Sequence, residues 1–151
     1  MTYEKILAHN RQATFNYFIL DRLEAGVVLQ GTEVKSLRLG LCNLKDSYAR
    51  VDGGEVWMYN CHIGPYPHGN RMNHEPLRPR KLLLHRNQIH KLVREAVRGT
   101  TLVPTKIYFK DKHIKVEIGI AKGKKSYDKR ASLREKDLKR EAAAAMRERG
   151  R

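Results

Sequence analysis

Acidic residues are in short supply: 16 Asp and Glu stand against 31 Lys and Arg in 151 residues, a formal net charge of +15 at pH 7. A folded body with that excess repels itself, and small domains stay soluble with a net charge of only about 2–8. The surplus predicts a polyanionic partner, with nucleic acid the first expectation. Cysteine is scarcer still. Cys42 and Cys61 form neither a C-x-x-C pair nor a disulfide framework, which excludes a stapled secreted mini-protein and predicts reduced thiols. No apolar run approaches the ~18 residues of a membrane span, and the N-terminal stretch has no continuous apolar core of the signal-peptide kind. These absences predict a cytoplasmic protein with no membrane partner. The length suits one compact domain with an appendage.

What is present is organised as strands with a few helices. Tyr17 to Leu29 (YFILDRLEAGVVL) is rich in aromatic and β-branched residues and reads as a long bent strand, with Gly26 as its bulge. In GTEVKSLRLG, Thr32 is the expected cap of a short helix. Glu33 falls in its first turn, Val34, Leu37 and Leu41 form its apolar stripe, and Gly40 sits just past its end. Asp46 to Cys61 reads as a hairpin turning at Asp52-Gly53-Gly54. Gly64 to Arg80 holds four of the five prolines and the cations Arg71, Arg78 and Arg80, so a long loop is expected there.

Asn87 is the expected cap of a second helix. Its apolar positions are Ile89, Leu92, Val93, Ala96 and Val97, and Gly99 ends it. Two strands follow, VPTKIYFK and IKVEIGIA, joined at Asp111-Lys112. In the second, Ile114, Val116, Ile118 and Ile120 share one face while Lys115 and Glu117 share the other. The pattern predicts a mostly-β fold, a small antiparallel barrel over residues 1–122, a shape often used for RNA.

Residues 123–151 read differently. From Ala121 onward twelve cations face five anions, a net +7. Ser132 and Glu135 form a capping-box pattern, Glu135 and Lys139 an i,i+4 pair, and AAAAM favours helix. The apolar stripe, however, is Ala131, Leu138, Ala142 and Ala145, with Leu133 and Met146 off its centre. One buried leucine contributes ~1.5–3 kcal/mol, against about 1–2 kcal/mol per residue to order a backbone. The expectation is a flexible tail whose helix is conditional on a partner.

No constellation for chemistry emerges. His62, His68 and His74 are too widely spaced for a compact zinc site and read as surface or RNA-facing side chains. Gly119, Gly123 and Lys124 stand one residue too close for a phosphate loop, and Lys125 occupies the place of its Ser or Thr. Ser47 beside Asp46 lacks the glycines of a nucleophile elbow. Glu24, Asp46 and Glu55 lie at strands or turns where solvated or ion-paired carboxylates are expected. No enzyme, metal, cofactor or small-molecule substrate is predicted. Tyr17, Tyr48, Tyr66, Tyr108 and Tyr127 are interleaved with cations, a pattern suited to stacking unpaired bases, with packing in the core or at its rim the equal alternative for Tyr17 and Tyr48.

The ordered blocks NRQATFNYFI, EAGVVLQGTEVKSLRLG, NLKDSY, NCHIGPY, NHEPLRPRKLLLH, GTTLVPTKIYFK and KVEIGIAKGKKSYDKR run nearly end to end. Through them the chain resembles the SsrA-binding protein family, also called small protein B, the partner of transfer-messenger RNA in bacterial trans-translation. The resemblance implies an OB-like antiparallel barrel of about six strands with two or three short helices and a C-terminal tail. It implies a non-enzymatic adaptor that binds the tRNA-like domain of transfer-messenger RNA and delivers it to stalled ribosomes. The other partner is small-subunit rRNA in the decoding site and mRNA channel.

Carried over position by position, the RNA-facing residues implied are Asn10, Arg11, Tyr17, Glu24, Lys35, Arg38, Tyr48, Leu83, Lys115, Gly123, Lys124 and Lys125. The tail signature is Tyr127, Asp128, Lys129 and Arg130. Many family members have histidine at the position of Tyr127. The residues by themselves leave a basic structural ribosomal protein as the alternative.

Overall fold

The computed structural model describes residues 4–69 and 72–149. The elements run β1 (Glu4–His9), α1 (Ala13–Asn16), β2 (Tyr17–Val27), α2 (Gly31–Arg38), β3 (Cys42–Asn43), β4 (Tyr48–Asp52) and β5 (Glu55–Tyr59). They continue as β6 (His62–Ile63), β7 (Arg80–Leu83), α3 (Arg86–Val97), β8 (Thr101–Lys110), β9 (His113–Gly123) and α4 (Ser126–Arg149). Six strands close a ring in the order β8-β4-β5-β7-β2-β9 and back to β8, antiparallel throughout. This is the small OB-like barrel that the sequence predicts.

The two tight hairpins follow from their turn residues. Gly53 and Gly54 have φ of 61° and 79°, and Asp111 and Lys112 have φ of 46° and 73°, the left-handed pairs that match the twist of adjoining strands. Inside the ring, Val56, Met58, Leu82, Ile107, Val116, Ile118 and Ile120 are buried, as period-two alternation requires. Pro104 is tolerated in a long strand because the β8–β9 ladder shifts register between Pro104 and Lys106, where a missing donor is least costly.

Several expectations are corrected. Ahead of Tyr17, where the sequence suggests no element, lies a strand, β1, which pairs with β8 outside the ring. The loop expected to run through Arg80 stops before it, because Arg80 opens β7, a ring strand. The bulge in β2 lies between Ile19 and Asp21, whereas Gly26 pairs normally with Lys115 and Leu83. Gly26 serves close approach instead, since a Cβ there would meet the Leu83 Cβ at 3.2 Å. Gln30, not Thr32, caps α2, reciprocating with Glu33. His85, not Asn87, caps α3 in the same way with Gln88. Of the two apolar stripes, Leu37 and Leu92 are buried while Leu41, Val93 and Val97 are exposed. Helix α4 begins at Ser126, so Ser132 lies inside it and is no N-cap.

The Pro-rich segment is tied down by charge within the barrel wall. Arg80 Nε donates to Glu33 Oε2 at 2.5 Å, Arg78 Nη2 to Glu33 Oε1 at 2.5 Å, and Arg80 Nη1 to the Cys61 carbonyl. Arg80 and Glu33 are both fully buried. Burial alone would raise the Glu33 carboxyl. Hydrogen bonds from Arg78 and the Gln30 amide, with the Arg80 charge, outweigh it and hold the group below the usual carboxylate range. Arg78 and Arg80, read from sequence as loop cations, are therefore structural. Arg71 lies outside the described residues.

His74 is likewise structural. It is buried, with Nε2 2.8 Å from the Ile63 carbonyl and Nδ1 2.9 Å from Thr32 Oγ1. A carbonyl only accepts, so Nε2 carries the proton. This overturns the surface reading for His74, while His62 and His68 are exposed.

Candidate nucleic-acid interface

Of the twelve RNA-facing positions expected, eleven fall into two groups separated along β2. At one end Gly26 pairs with Lys115 and with Leu83. Around that crossing, Arg38, Leu83, Phe109 and Lys115 line one open hollow of about 320 Å³. The Arg38 guanidinium lies 5.6 Å from the Phe109 ring centre. Glu24, two residues along β2, points to the same outer face and feels the charge of Lys115. Leu83 is half-exposed, an apolar side chain among cations.

At the other end of β2, Tyr17 pairs with Gly123. Asn10, Tyr17 and Tyr48 line a second hollow of about 260 Å³ together with Asp46 and Ser47. Asn10 is buried, its Nδ2 donating to the Pro104 carbonyl at 2.9 Å. That bond fixes the β1–α1 corner. Lys124 Nζ lies 4.9 Å from the Phe18 ring centre and donates to the Thr14 carbonyl at 2.8 Å. Lys125 and Arg11 are exposed, and Arg11 borders a cleft shared with Leu133 and Lys136 of α4. From Tyr17 to Gly26 the strand spans at most ~30 Å at ~3.3 Å per residue. Lys35 joins neither group; its ammonium sits 5.4 Å from the Tyr66 ring centre.

Of the tail positions, Lys129 and Arg130 lie in the first turns of α4, Lys129 partly covered and Arg130 exposed. Tyr127 and Asp128 are in the same helix by backbone. The side chains of Tyr127 and Asp128 lie outside the described residues.

Some surface chemistry was not foreseen. Tyr48 stacks on Tyr59, ring centres 5.3 Å apart, and the Arg50 guanidinium lies 4.9 Å from the Tyr59 ring centre. A cation and two rings thus form one rail on the β4–β5 hairpin. The signal was available: a two-residue turn at Gly53-Gly54 places Tyr48 directly opposite Tyr59. Tyr108 corrects the stacking expectation. It is buried, its hydroxyl donates to Glu24 Oε2, and Lys106 Nζ lies 5.0 Å from its ring centre. Burial first, then that hydrogen bond, pushes the phenol up from its usual range. Tyr108 offers no face to a base.

Among the described residues no group of three or more metal-ligating side chains occurs, and no helix is long and apolar enough to cross a membrane. Cys42 and Cys61 are free thiols with Sγ atoms 3.9 Å apart.

A closed antiparallel barrel with outward cations laid against aromatic rings defines a class, the small basic barrels built for nucleic acid. The family model described as SmpB protein matches residues 7–148. A curated SsrA-binding protein of Carboxydothermus hydrogenoformans is 55% identical over 147 residues, covering 97% of this chain and 99% of the relative. That of Bacillus cytotoxicus is 56% identical over 146 residues, covering 96% and 94%. A solved chain described as "tmRNA-SmpB: a journey to the center of the bacterial ribosome" is 45% identical with a TM-score of 0.66, covering 78% of this chain and 84% of its own. The chain belongs to the SmpB protein family.

Proposed function

We propose that the protein is a non-enzymatic RNA-binding adaptor of ribosome rescue. It binds the tRNA-like domain of transfer-messenger RNA and carries it to stalled ribosomes, where trans-translation tags the unfinished peptide. Family membership and the net charge of +15 support this reading. Its place of work is the cytoplasm, where ribosomes are.

The division of labour follows the separation along β2. Glu24, Arg38, Leu83 and Lys115, with Lys35 on the neighbouring helix α2, take the folded RNA by shape, phosphate and unstacked bases. Asn10, Arg11, Tyr17, Tyr48, Gly123, Lys124 and Lys125 form a second RNA-facing end at the root of the tail. Residues 1–122 are the binding body. Residues 123–151, starting with Tyr127, Asp128, Lys129 and Arg130, are the tail that orders in the mRNA channel against small-subunit rRNA. A resident messenger competes for that space, so tail ordering reports an empty channel by sterics.

The observation that carries the reading is that Leu83 and Lys115 pair at one end of β2 while Tyr17 pairs with Gly123, at the root of the tail, at the other. Deleting the residues beyond Arg130 should leave affinity for isolated transfer-messenger RNA within about twofold and abolish peptide tagging. Leu83→Ala with Lys115→Ala should weaken RNA binding first. Loss of RNA binding on truncation would overturn the two-surface division.

A further inference from the structure

Glu24 is an odd group to present to a polyanion. A carboxylate repels phosphate, and this one lies directly across from a second, Glu117, in the β2–β9 register. Glu117 is neutralised locally, 3.4 Å from Arg22 Nη1 and 3.5 Å from Lys106 Nζ. Glu24 is handled differently. The buried Tyr108 hydroxyl and Lys110 Nζ, at 3.1 Å, both donate to Oε2. Among the described residues no hydrogen bond reaches Oε1.

The hydrogen bond from Tyr108, followed by that from Lys110, holds the carboxyl below its usual range although partial burial opposes them. An ionised carboxylate only accepts. Glu24 is thus a fixed acceptor, with Oε2 satisfied from within the protein and Oε1 without a hydrogen bond among the described residues. Lys115 and Lys110 beside it keep phosphates near without letting them replace it.

Resting on the proposed role of the Glu24 face, we propose that Tyr108 and Lys110 are positioning residues. They aim Glu24 Oε1 at an N–H or 2′-hydroxyl donor of the bound RNA, so that this point reads a base or sugar edge and rejects phosphate. Tyr108 suits the task because its side chain is buried, with Lys106 Nζ over the ring and the hydroxyl on Glu24. Its aim is therefore set by packing, not by solvent.

The test is a double-mutant cycle in the full chain, with affinity for isolated transfer-messenger RNA as readout. Glu24→Ala should weaken binding roughly tenfold, the usual effect of losing a hydrogen bond to a charged group. Tyr108→Phe, which keeps the ring and its packing, should weaken binding about threefold to tenfold. In the Glu24→Ala background the same change should have no further effect within about twofold. Lys110→Arg, which keeps a donor, should bind like the parent, whereas Lys110→Met should not. tRNA-like fragments with 2′-deoxy residues separate the two donor sources. If the 2′-hydroxyl is the partner, Glu24→Ala loses its effect on them; if a base N–H is, the effect persists.

Unchanged binding by Glu24→Ala would remove Glu24 from the RNA face and with it the proposed site. A weakened Glu24→Ala beside an unaffected Tyr108→Phe, or effects that multiply in the double variant, would overturn the positioning role alone.

Discussion

Helix α3 and helix α4 are both cation-rich, yet they stand in different physical situations. Twelve-residue α3 places Leu92 in the barrel core, with Ile89 packed against it, and Lys91 pairs with Asp21 on β2. Twenty-four-residue α4 buries almost nothing: of its described side chains, all but Lys129 are exposed. Leu138 and Met146 are largely exposed, and Leu133 is half-exposed at the cleft beside Arg11. One helix is held by tertiary packing, the other by local propensity. The difference teaches that the molecule has two kinds of order, and only one is independent of its surroundings. A partner that covers α4 can therefore change its state without disturbing the barrel.

The largest expected effect breaks the first kind of order. Arg80→Met removes a buried cation that serves Glu33 and the Cys61 and Pro76 carbonyls. It leaves the buried Glu33 carboxylate with Arg78 and the Gln30 amide but without its fully buried partner, and breaking a buried ion pair typically costs ~3–5 kcal/mol. Denaturant unfolding followed by the fluorescence of Trp57, the single tryptophan, should record that loss. The far-UV signal of α4 should not change under native conditions. An Arg80→Met barrel as stable as the parent would mean that the Pro-rich segment, not this ion cluster, holds α2 against β7.

A smaller effect follows from the same cluster on acidification. The folded-state Glu33 carboxyl is lowered, so its stabilisation is fully present above the unfolded value of about 4.3 and is lost as pH falls through the lowered folded value. Barrel stability should therefore decline on the acid side, and part of that decline should vanish in Arg80→Met. α4 contains no buried carboxylate in its described part, so its helicity should not follow that curve. Parallel acid profiles for Trp57 and for helicity would erase the distinction between the two helices.

The barrel was legible where alternation and turn chemistry agree. β2, β8 and β9 carry long β-branched runs, and both two-residue turns announce themselves through Gly53-Gly54 and Asp111-Lys112. β7 was hidden because an arginine occupies an inward position, inverting the expected pattern, and Arg80 is inward only because Glu33 waits there. β1 was hidden because EKILAH mixes polar and apolar residues at the margin of the ring, where one strand face is only half covered. The caps were missed because Gln30 and His85 are uncommon cap residues whose role depends on Glu33 and Gln88. At the RNA-facing surface, the resemblance supplied Glu24 but nothing local supplied Tyr108. The two are 84 residues apart and meet only through barrel closure. The separation of Asn10, Tyr17 and Tyr48 from Leu83 and Lys115 was equally invisible, since it is set by the length of the β2–β9 ladder.

The smallest effect on the barrel is expected from the change most damaging to the tail. Ala143→Pro places a proline in the interior of α4, removing a backbone donor and costing that helix ~3 kcal/mol. With no core contact to compensate, the helix should break around that point and far-UV ellipticity should fall. The Trp57 transition should move by less than ~0.5 kcal/mol, the range of surface substitutions remote from packed features. If the Trp57 transition instead dropped along with the helical signal, α4 would be part of the cooperative barrel. Its order would then not be free to answer to a partner, and the contrast between α3 and α4 would dissolve.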